Sequence, residues 1–255
     1  MVPERFASGK TRLPDPSMPL KTVEPQRLYR QIAGQLRALM TSGEFKSGAR
    51  LPAERDLAKQ LGVSRPSVRE ALIALEVEGW VEVRTGSGVY VLDRSHRTKS
   101  RERKVPAAEW GPLELIRARR VVEGEIASLA ALLAKRKDVT AIASAIHQME
   151  DDTGRGVAPL MGDRAFHTAI AQACGNVVLT ETVQTFWDAR HGPLFERLGD
   201  HFESVPSWRK AIGEHEQVLA AIRAHDPEAA RAAMQQHMDK SHARFSASWR
   251  KANQT

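Results

Sequence analysis

The spacing of apolar residues changes between residues 52 and 91, and this change constrains the fold more than any other feature of the sequence. Pro52 begins a short run with helical spacing, and Gly62 ends it. Ser64 is a good cap for a second helical run, whose inward positions are Val68, Ala71, Leu72 and Leu75. After Gly79 the period falls to 2, with valines alternating on both sides of a glycine-rich turn at residues 84–88. Helix, short break, helix and β-hairpin together predict a winged helix-turn-helix.

The rest of the chain divides into three further segments. Residues 1–24 have prolines and glycines but no periodicity, which predicts a disordered arm, and the winged helix-turn-helix occupies 25–92. Residues 93–108 form a predicted basic linker. Residues 109–250 show only helical signals, in about six amphipathic runs, which predicts an all-α bundle. The expected fold class is therefore mainly α, with one small β-hairpin.

Charge is distributed unevenly between these segments. The formal net charge is +7, but residues 1–104 hold 20 Lys and Arg against 12 Asp and Glu, and residues 105–255 hold 18 against 19. The excess suggests a basic module for a polyanion joined to a near-neutral module. The single cysteine, Cys174, excludes an internal disulfide. We find neither a membrane-spanning stretch nor a signal peptide, so we expect a cytoplasmic protein without a membrane partner.

The second helix of a winged helix-turn-helix enters the major groove of DNA. Here Arg65 and Arg69 are four residues apart on one face, away from the apolar stripe, where each guanidinium could donate two hydrogen bonds to a guanine. Arg55 is placed for a phosphate or base contact. The residues expected at phosphates are Ser64, Ser67, Thr85 and Gly86. A solvated arginine face is the alternative, which the surrounding winged helix-turn-helix pattern disfavours.

Several polar side chains interrupt apolar stripes of the C-terminal helices. Arg119 occupies an inward position, and Asp163 and His167 share one face at a spacing of four residues. His215 and His237 lie among apolar residues on two later helices. One carboxylate and three imidazoles could bind a divalent transition metal such as Zn²⁺, Ni²⁺ or Mn²⁺. Hydrogen-bonded core histidines are the alternative, and spacing alone leaves both interpretations open.

The segment LPAERDLAKQLGVSRPSVREALIALEVEGWVEVRTGSGVYV resembles the DNA-binding domain of the GntR family of bacterial transcription regulators. The resemblance is gapless and extends to the FadR branch of that family. It implies operator contacts at Arg55, Ser64, Arg65, Ser67, Arg69, Thr85 and Gly86. Pro66 departs from the family pattern, because relatives often have a residue with a free amide there.

The C-terminal half is similar to the FCD effector domain attached to regulators of the FadR branch. The similarity covers nearly all of residues 110–245 through the motifs RARRVVEGEIASLAA, DRAFHTAIAQACGN and EHEQVLAAIRAHDPEAARAAMQQHM. It implies that the metal ligands are Asp163, His167, His215 and His237. It further implies that Arg119 binds the carboxylate of a small effector beside the metal, and that Glu123 supports the structure. Asn176 is expected to line the effector pocket, or else to cap the next helix.

The narrower resemblance is to regulators of hexuronate utilisation, which suggests a sugar acid, a hexuronate or an aldonate, as the effector. We expect a homodimeric repressor whose two heads bind a short palindromic operator in double-stranded DNA. A ligand that prefers the DNA-incompetent state would then release the operator.

Three other functions are alternatives for a chain with these features. A fatty-acyl-CoA or other organic-acid sensor of the same family is disfavoured by the four retained metal ligands. A metal-dependent hydrolase with a DNA-binding domain lacks a general base, because helical geometry is expected to turn Glu214 and Glu216 off the inward face. We therefore predict that the protein is not an enzyme. A nucleoid-type structural protein would not need the predicted pocket.

Overall fold

The computed structural model describes residues 27–93, 105–106 and 109–247. The arm predicted over residues 1–24, most of the linker predicted over 93–108 and the last residues of the predicted bundle lie outside this part of the chain. The described residues form an N-terminal head (α1 to β2) and a helical bundle (α4 to α10). The head contains α1 (Leu28–Thr41), α2 (Glu54–Leu61), α3 (Arg65–Val77), β1 (Val81–Arg84) and β2 (Gly88–Val91).

Local sequence signals account for the beginnings and ends of the head helices. Gly62 adopts the left-handed conformation (φ 64°) that ends α2. Ser64 caps α3, because its hydroxyl oxygen accepts a hydrogen bond from the Ser67 amide, and Pro66 lies in the first turn, where a missing amide costs least. The apolar face of α1 packs on α3, which buries Tyr29, Ile32, Leu36, Leu72 and Leu75.

The predicted β-hairpin is present and follows α3 directly. β1 and β2 are antiparallel, and Val81 pairs with Val91 and Val83 with Val89. These four valines are buried, so one face of the hairpin closes the core of the head. Gly86 has a positive φ of 81° at the turn, a conformation that favours glycine. The turn therefore projects away from the head as a wing.

The helical bundle consists of seven α-helices and one 3₁₀ turn. Their bounds are α4 (Pro112–Leu133), α5 (Arg136–Gly154), α6 (Leu160–Ala173), α7 (Val177–Asp188), the 3₁₀ turn (Ala189–His191), α8 (Pro193–Phe202), α9 (Val205–Arg223) and α10 (Pro227–Phe245). α4 packs against α10, α6 and α9 and lies at the centre of the bundle. A Cβ at Gly162 would lie 2.6 Å from Met149 Cγ and 3.1 Å from the Met149 amide nitrogen, so glycine allows α6 to approach α5 closely.

The predicted fold class is confirmed, because the described residues are mainly helical with one two-stranded sheet. The expectation of about six helical runs differs from the seven helices found. The extra helix arises because the sequence has helix-breaking signals at both Gly192-Pro193 and Ser204-Pro206, and the short helix α8 lies between them. Within the described ranges, no helix is long and apolar enough to cross a membrane.

Candidate metal centre and DNA-contacting surface

Four buried side chains from three helices converge inside the bundle. Asp163 and His167 come from α6, His215 from α9 and His237 from α10. The His215 and His237 Nε2 atoms are 3.1 Å apart, and Asp163 Oδ1 lies 3.4 Å from His215 Nε2 and 3.5 Å from His167 Nε2. One ligand atom from each residue lies within 4.8 Å of all the others. The structure thus brings together all four residues that the sequence singles out as metal ligands.

The donor atoms of this cluster are poorly satisfied by the protein. Asp163 Oδ1 and His167 Nε2 are buried and have no hydrogen-bond partner among the described residues. His237 Nδ1 lies 2.9 Å from Glu214 Oε2, so a proton donated there leaves a lone pair on Nε2, facing His215. Buried polar atoms without partners are costly, whereas a metal ion would accept the lone pairs of all four groups. The donor set therefore fits a divalent transition metal.

The protonation equilibria of three of these groups favour metal-binding forms. Burial, with the neighbouring His237, holds the pKa of His215 well below its usual range, and burial also lowers the pKa of His237. Burial tends to raise the pKa of Asp163, but contact with His167 and the charge of Arg190 hold it well below its usual range. For His167, burial tends to lower the pKa, and the Glu123 carboxylate reverses this to a net rise.

Two carboxylates lie directly behind the histidines. Glu123 on α4 lies 2.5 Å from His167 Nδ1 and accepts a hydrogen bond from Arg119 Nε at 2.6 Å. Burial tends to raise the pKa of Glu123, but Arg119 and His167 lower it to about 2. Glu214 on α9 contacts His237 Nδ1 and accepts two hydrogen bonds from Arg244, at 2.7 and 3.1 Å. Carboxylates in this position fix the orientation of metal-binding imidazoles.

The prediction that Glu214 is turned off the inward face is wrong. Glu214 is buried, whereas its neighbour Glu216 is exposed as expected. α9 packs against α10 as well as against α4 and α5, so more than one face of the helix is covered. Glu214 lies on the side that meets His237 and Arg244 of α10. A single inward stripe cannot describe such a helix.

Two of the arginines that border the cluster, Arg119 and Arg190, differ in whether the sequence predicts them. Arg119 is buried, as predicted from its inward position, and lies over the Trp187 ring at 4.9 Å. Arg190, in the 3₁₀ turn, also lies over the Trp187 ring, at 4.5 Å. Its Nη1 donates to Asp163 Oδ2 at 2.8 Å and its Nη2 to Glu203 at 3.4 Å. A three-residue turn has no apolar periodicity, so no signal in the sequence marked Arg190.

A cavity of about 40 Å³ adjoins the cluster, and a cleft of about 400 Å³ lies outside it. Arg190 and Glu203 line both spaces. Trp208 lines the inner cavity and Trp187 the outer cleft, and both indole N–H groups are buried without a hydrogen-bond partner among the described residues. Burial raises the pKa of Glu203, which indicates that its pairing with Arg190 only partly offsets its desolvation.

The expectation that Asn176 lines this pocket is not met. Its side chain is exposed and its Oδ1 accepts hydrogen bonds from the Val178 and Leu179 amides, at 3.0 and 3.3 Å. Neither cavity includes it among its lining residues. Asn176 therefore caps α7, the alternative that the sequence had left open.

Five of the seven predicted DNA-contacting residues are at least partly exposed on the head, whereas Ser67 and Arg69 are buried. Arg55 and Arg65 have exposed side chains, 71% and 54% accessible. Among the described residues, Arg55 pairs with the adjacent Asp56, and Arg65 Nη2 lies 3.9 Å from Glu54 Oε2. Thr85 is half-buried and Gly86 exposed at the tip of the wing. At the start of α3, the Ser64 hydroxyl serves as the cap, and Ser67 is buried with its hydroxyl 2.9 Å from that of Ser64.

Arg69 lies elsewhere than predicted. Its guanidinium is only 2% exposed, and its Nε and Nη2 donate to the two Glu54 carboxylate oxygens at 2.7 Å each. Its Nη1 donates to the backbone carbonyl of Phe245, at the end of α10, also at 2.7 Å. In this structure Arg69 therefore faces the bundle. Helical periodicity places Arg69 off the apolar stripe of the head, but it cannot reveal that the bundle covers that face.

Comparison with known proteins gives matches along most of the chain. The family profile of the FCD domain matches residues 114–240, and that of the bacterial regulatory proteins of the gntR family matches residues 28–91. The chain is 40% identical over 220 residues to the Uxu operon transcriptional regulator of Escherichia coli strain K12, covering 84% of this chain and 85% of the relative.

Two further relatives are also named as Uxu or Exu regulators. Identity is 36% over 224 residues to the Exu regulon transcriptional regulator of E. coli strain K12, covering 86% of this chain and 85% of that one. Identity is 32% over 214 residues to the Uxu operon regulator of Haemophilus influenzae, covering 84% of this chain and 80% of the relative. All three relatives are named as regulators and none as an enzyme.

Proposed function

Because this chain belongs to the GntR family of bacterial regulatory proteins and carries an FCD domain, we propose that a small carboxylate bound in its helical bundle controls its affinity for operator DNA. The protein is a transcription regulator related to the Uxu and Exu regulators, not an enzyme. The proposal concerns what the bundle senses and how the head responds.

The observation that carries the proposal is the convergence of four buried donor atoms, from Asp163, His167, His215 and His237, within 4.8 Å of one another. These residues would hold a divalent transition metal, with Zn²⁺, Ni²⁺ and Mn²⁺ as candidates. Glu123 orients the His167 imidazole from behind the site. When bound, the ion supplies a Lewis acid for a carboxylate.

The effector is a sugar acid such as a hexuronate or an aldonate. Arg119 and Arg190 supply positive charge beside the cluster, and an arginine fork matches a carboxylate. The unpartnered N–H groups of Trp187 and Trp208 favour a ligand with several oxygen acceptors. A cavity of about 40 Å³ has room for a few water molecules but not for a sugar acid. Because Arg190 lines both the cavity and the outer cleft, entry of a sugar acid from the cleft requires Arg190 to move.

The chain acts as a homodimer on a short palindrome in double-stranded DNA. Arg55 and Arg65, on the surface of the head, make the base contacts. The phosphate contacts come from Ser64, Ser67, Thr85 and Gly86. The sugar acid lowers operator affinity, as expected for a repressor, because it favours the state in which the heads cannot bind both half-sites.

A thermal-shift screen tests the sensing step. The metal-loaded protein is melted with hexuronates, aldonates and short dicarboxylates, and with the uncharged parent sugars as matched controls. A true effector at about 100 times its Kd stabilises the folded protein by about 2.7 kcal/mol, which raises Tm by several degrees. The uncharged sugars should leave Tm unchanged. Equal shifts with acids and neutral sugars, or no shift with any acid, would refute a carboxylate-sensing site.

Arg65→Ala tests base contact by the head. We expect it to weaken binding to a DNA duplex selected by the wild-type protein from a random library by about 1–3 kcal/mol, with weaker selectivity over scrambled DNA. The side chain is exposed, so the melting temperature should not change. Arg37→Ala, which removes an arginine of the head on α1, is the charge-matched control. The two variants are compared by fluorescence anisotropy, and unchanged selectivity in Arg65→Ala would exclude the base contact.

A further inference from the structure

Helix α3, which carries Arg65 and Arg69, is attached to the bundle through polar contacts of three of its side chains. Near its start, Arg69 donates to the Phe245 carbonyl at the end of α10. One residue later, Glu70 accepts hydrogen bonds from the Leu113 and Glu114 amides at the start of α4, at 2.8 and 3.1 Å. Near its end, Glu76 is bonded to two side chains of α8. We call these contacts the α3–bundle interface.

The contact at Glu76 is a compact ionic cluster. Arg197 Nη2 donates to one carboxylate oxygen at 2.8 Å, and His201 Nε2 lies 2.7 Å from the other. The backbone amide of Val83, in the wing, also donates to Glu76, at 3.0 Å. Glu76 is buried, so its charge depends on these partners while the head lies against the bundle.

Arg69 is held both by this interface and by the head itself. Glu54 takes up its Nε and Nη2, Phe245 takes up its Nη1, and the Phe202 ring of α8 lies 5.1 Å from the centre of the guanidinium. A guanidinium held in this way cannot also present a pair of N–H donors to a guanine. Arg69 must leave both Phe245 of the bundle and Glu54 of the head before it can present a pair of donors to a guanine.

The α3–bundle interface is connected through α10 to the cluster of candidate metal ligands. His237 contacts Glu214, and Glu214 accepts two hydrogen bonds from Arg244. Arg244 immediately precedes Phe245, whose carbonyl accepts the hydrogen bond from Arg69. A shift of the last turn of α10 that follows a change at His237 would therefore alter the bond to Arg69 directly.

We propose that the α3–bundle interface withholds Arg69 from DNA, so that the arrangement described here is the operator-incompetent state and operator binding requires the interface to open. This inference rests on the proposed function in one respect, the assignment of α3 as the DNA-contacting helix. A ligand in the bundle lowers operator affinity to the extent that it binds the closed arrangement more tightly than the open one.

The double variant Arg197→Ala/His201→Ala tests the proposal from the bundle side, without touching the head. It leaves the Glu76 carboxylate buried without its two partners in the closed arrangement, whereas water solvates it in the open one. We expect operator affinity, measured without metal or effector, to rise by about 5- to 150-fold, the usual range of coupling between sites. Removing positive charge by itself would weaken DNA binding, so the expected change has the opposite sign.

Arg136→Ala, at an exposed position on α5, is the control for charge, and it should bind the operator no more tightly than wild type. Circular dichroism verifies that the double variant folds. Operator affinity equal to or below that of Arg136→Ala would overturn the proposal. This comparison does not use the response to metal or sugar acid, so a negative result here would not contradict the proposed effector function. Conversely, a negative thermal-shift screen would not contradict the inference about the α3–bundle interface.

A second measurement needs no variant. The Leu113 and Glu114 amides are in the first turn of α4, where an amide has no partner within the helix, so their protection from hydrogen exchange reports the bond to Glu70. The full-length protein is compared free and saturated with the selected operator duplex. We expect these amides to be protected in the free protein and to exchange faster on the operator. Protection that persists at saturation would show that α3 binds DNA with the interface closed.

Discussion

Substituting His215 by alanine is expected to abolish both the chelator-sensitive stability of the protein and its response to sugar acids, while operator binding persists. His215 is fully buried at the centre of the cluster, and its loss leaves three of the four converging ligand atoms. A metal present at about 1,000 times its Kd contributes about 4 kcal/mol to the stability of the folded state. For a chain of this length that corresponds to about 10 °C in Tm.

The measurement is the Tm with and without a chelator, together with metal content by elemental analysis. His147→Ala, at an exposed position on α5, is the matched control and should retain metal and chelator sensitivity. A smaller effect is expected for Glu214→Gln, which should lower metal affinity about 10- to 100-fold because Glu214 orients His237. Its control is Glu216→Gln, at an exposed position, which should leave metal affinity unchanged. A wild-type protein that is purified without metal and melts identically in chelator would contradict the metal assignment.

The second large effect is expected at Glu70, an α3 residue whose carboxylate is buried against the start of α4. Burial raises its pKa from 4.5 to about 7, although the Leu113 and Glu114 amides act in the opposite direction. The folded state therefore binds a proton more tightly than the unfolded state, and stability falls as the pH rises from about 4.5 to about 7. Glu70→Gln keeps an acceptor for the amides but removes the buried charge. We expect it to stabilise the protein by about 3 kcal/mol at pH 8 and by far less at pH 5.

Thermal melts of wild type and Glu70→Gln at pH 5, 6, 7 and 8 measure this difference. The gap in Tm should open as the pH rises and level off above about 7. Glu44→Gln removes the same charge at an exposed position of the head and should show no such trend. A constant gap between pH 5 and pH 8 would mean that the substitution acts through packing and not through ionisation.

Local signals were sufficient wherever a residue's role depends on its own helix. Gly62 ends α2, Ser64 caps α3 and the alternating valines form the wing, because each of these features is set by the backbone within a few residues. Asn176 belongs to the same class, since the glycine before it and the helix after it mark a cap. The resemblance to metal-containing relatives favoured the pocket for Asn176, but the local capping signal describes its position.

The cluster was predictable because its four members interrupt apolar stripes, and an apolar stripe points into the core whichever helix lies opposite. The residues that surround the cluster could not be predicted from apolar stripes. Glu214 lies on a second covered face of α9, and Arg190 lies in a turn without periodicity. Their roles depend on His237 of α10 and Asp163 of α6, which are distant in the chain.

Arg69 shows most clearly which properties of a residue follow from the sequence and which follow from the tertiary structure. The sequence by itself determined that this arginine lies on a helix of a winged helix-turn-helix, on the side away from the apolar stripe, because periodicity and capping are local properties of the chain. Only the tertiary structure decided what that side faces. The end of α10 and the carboxylate of Glu54 cover it, 176 and 15 residues away in the chain, and contacts over such separations arise from the packing of whole helices against one another.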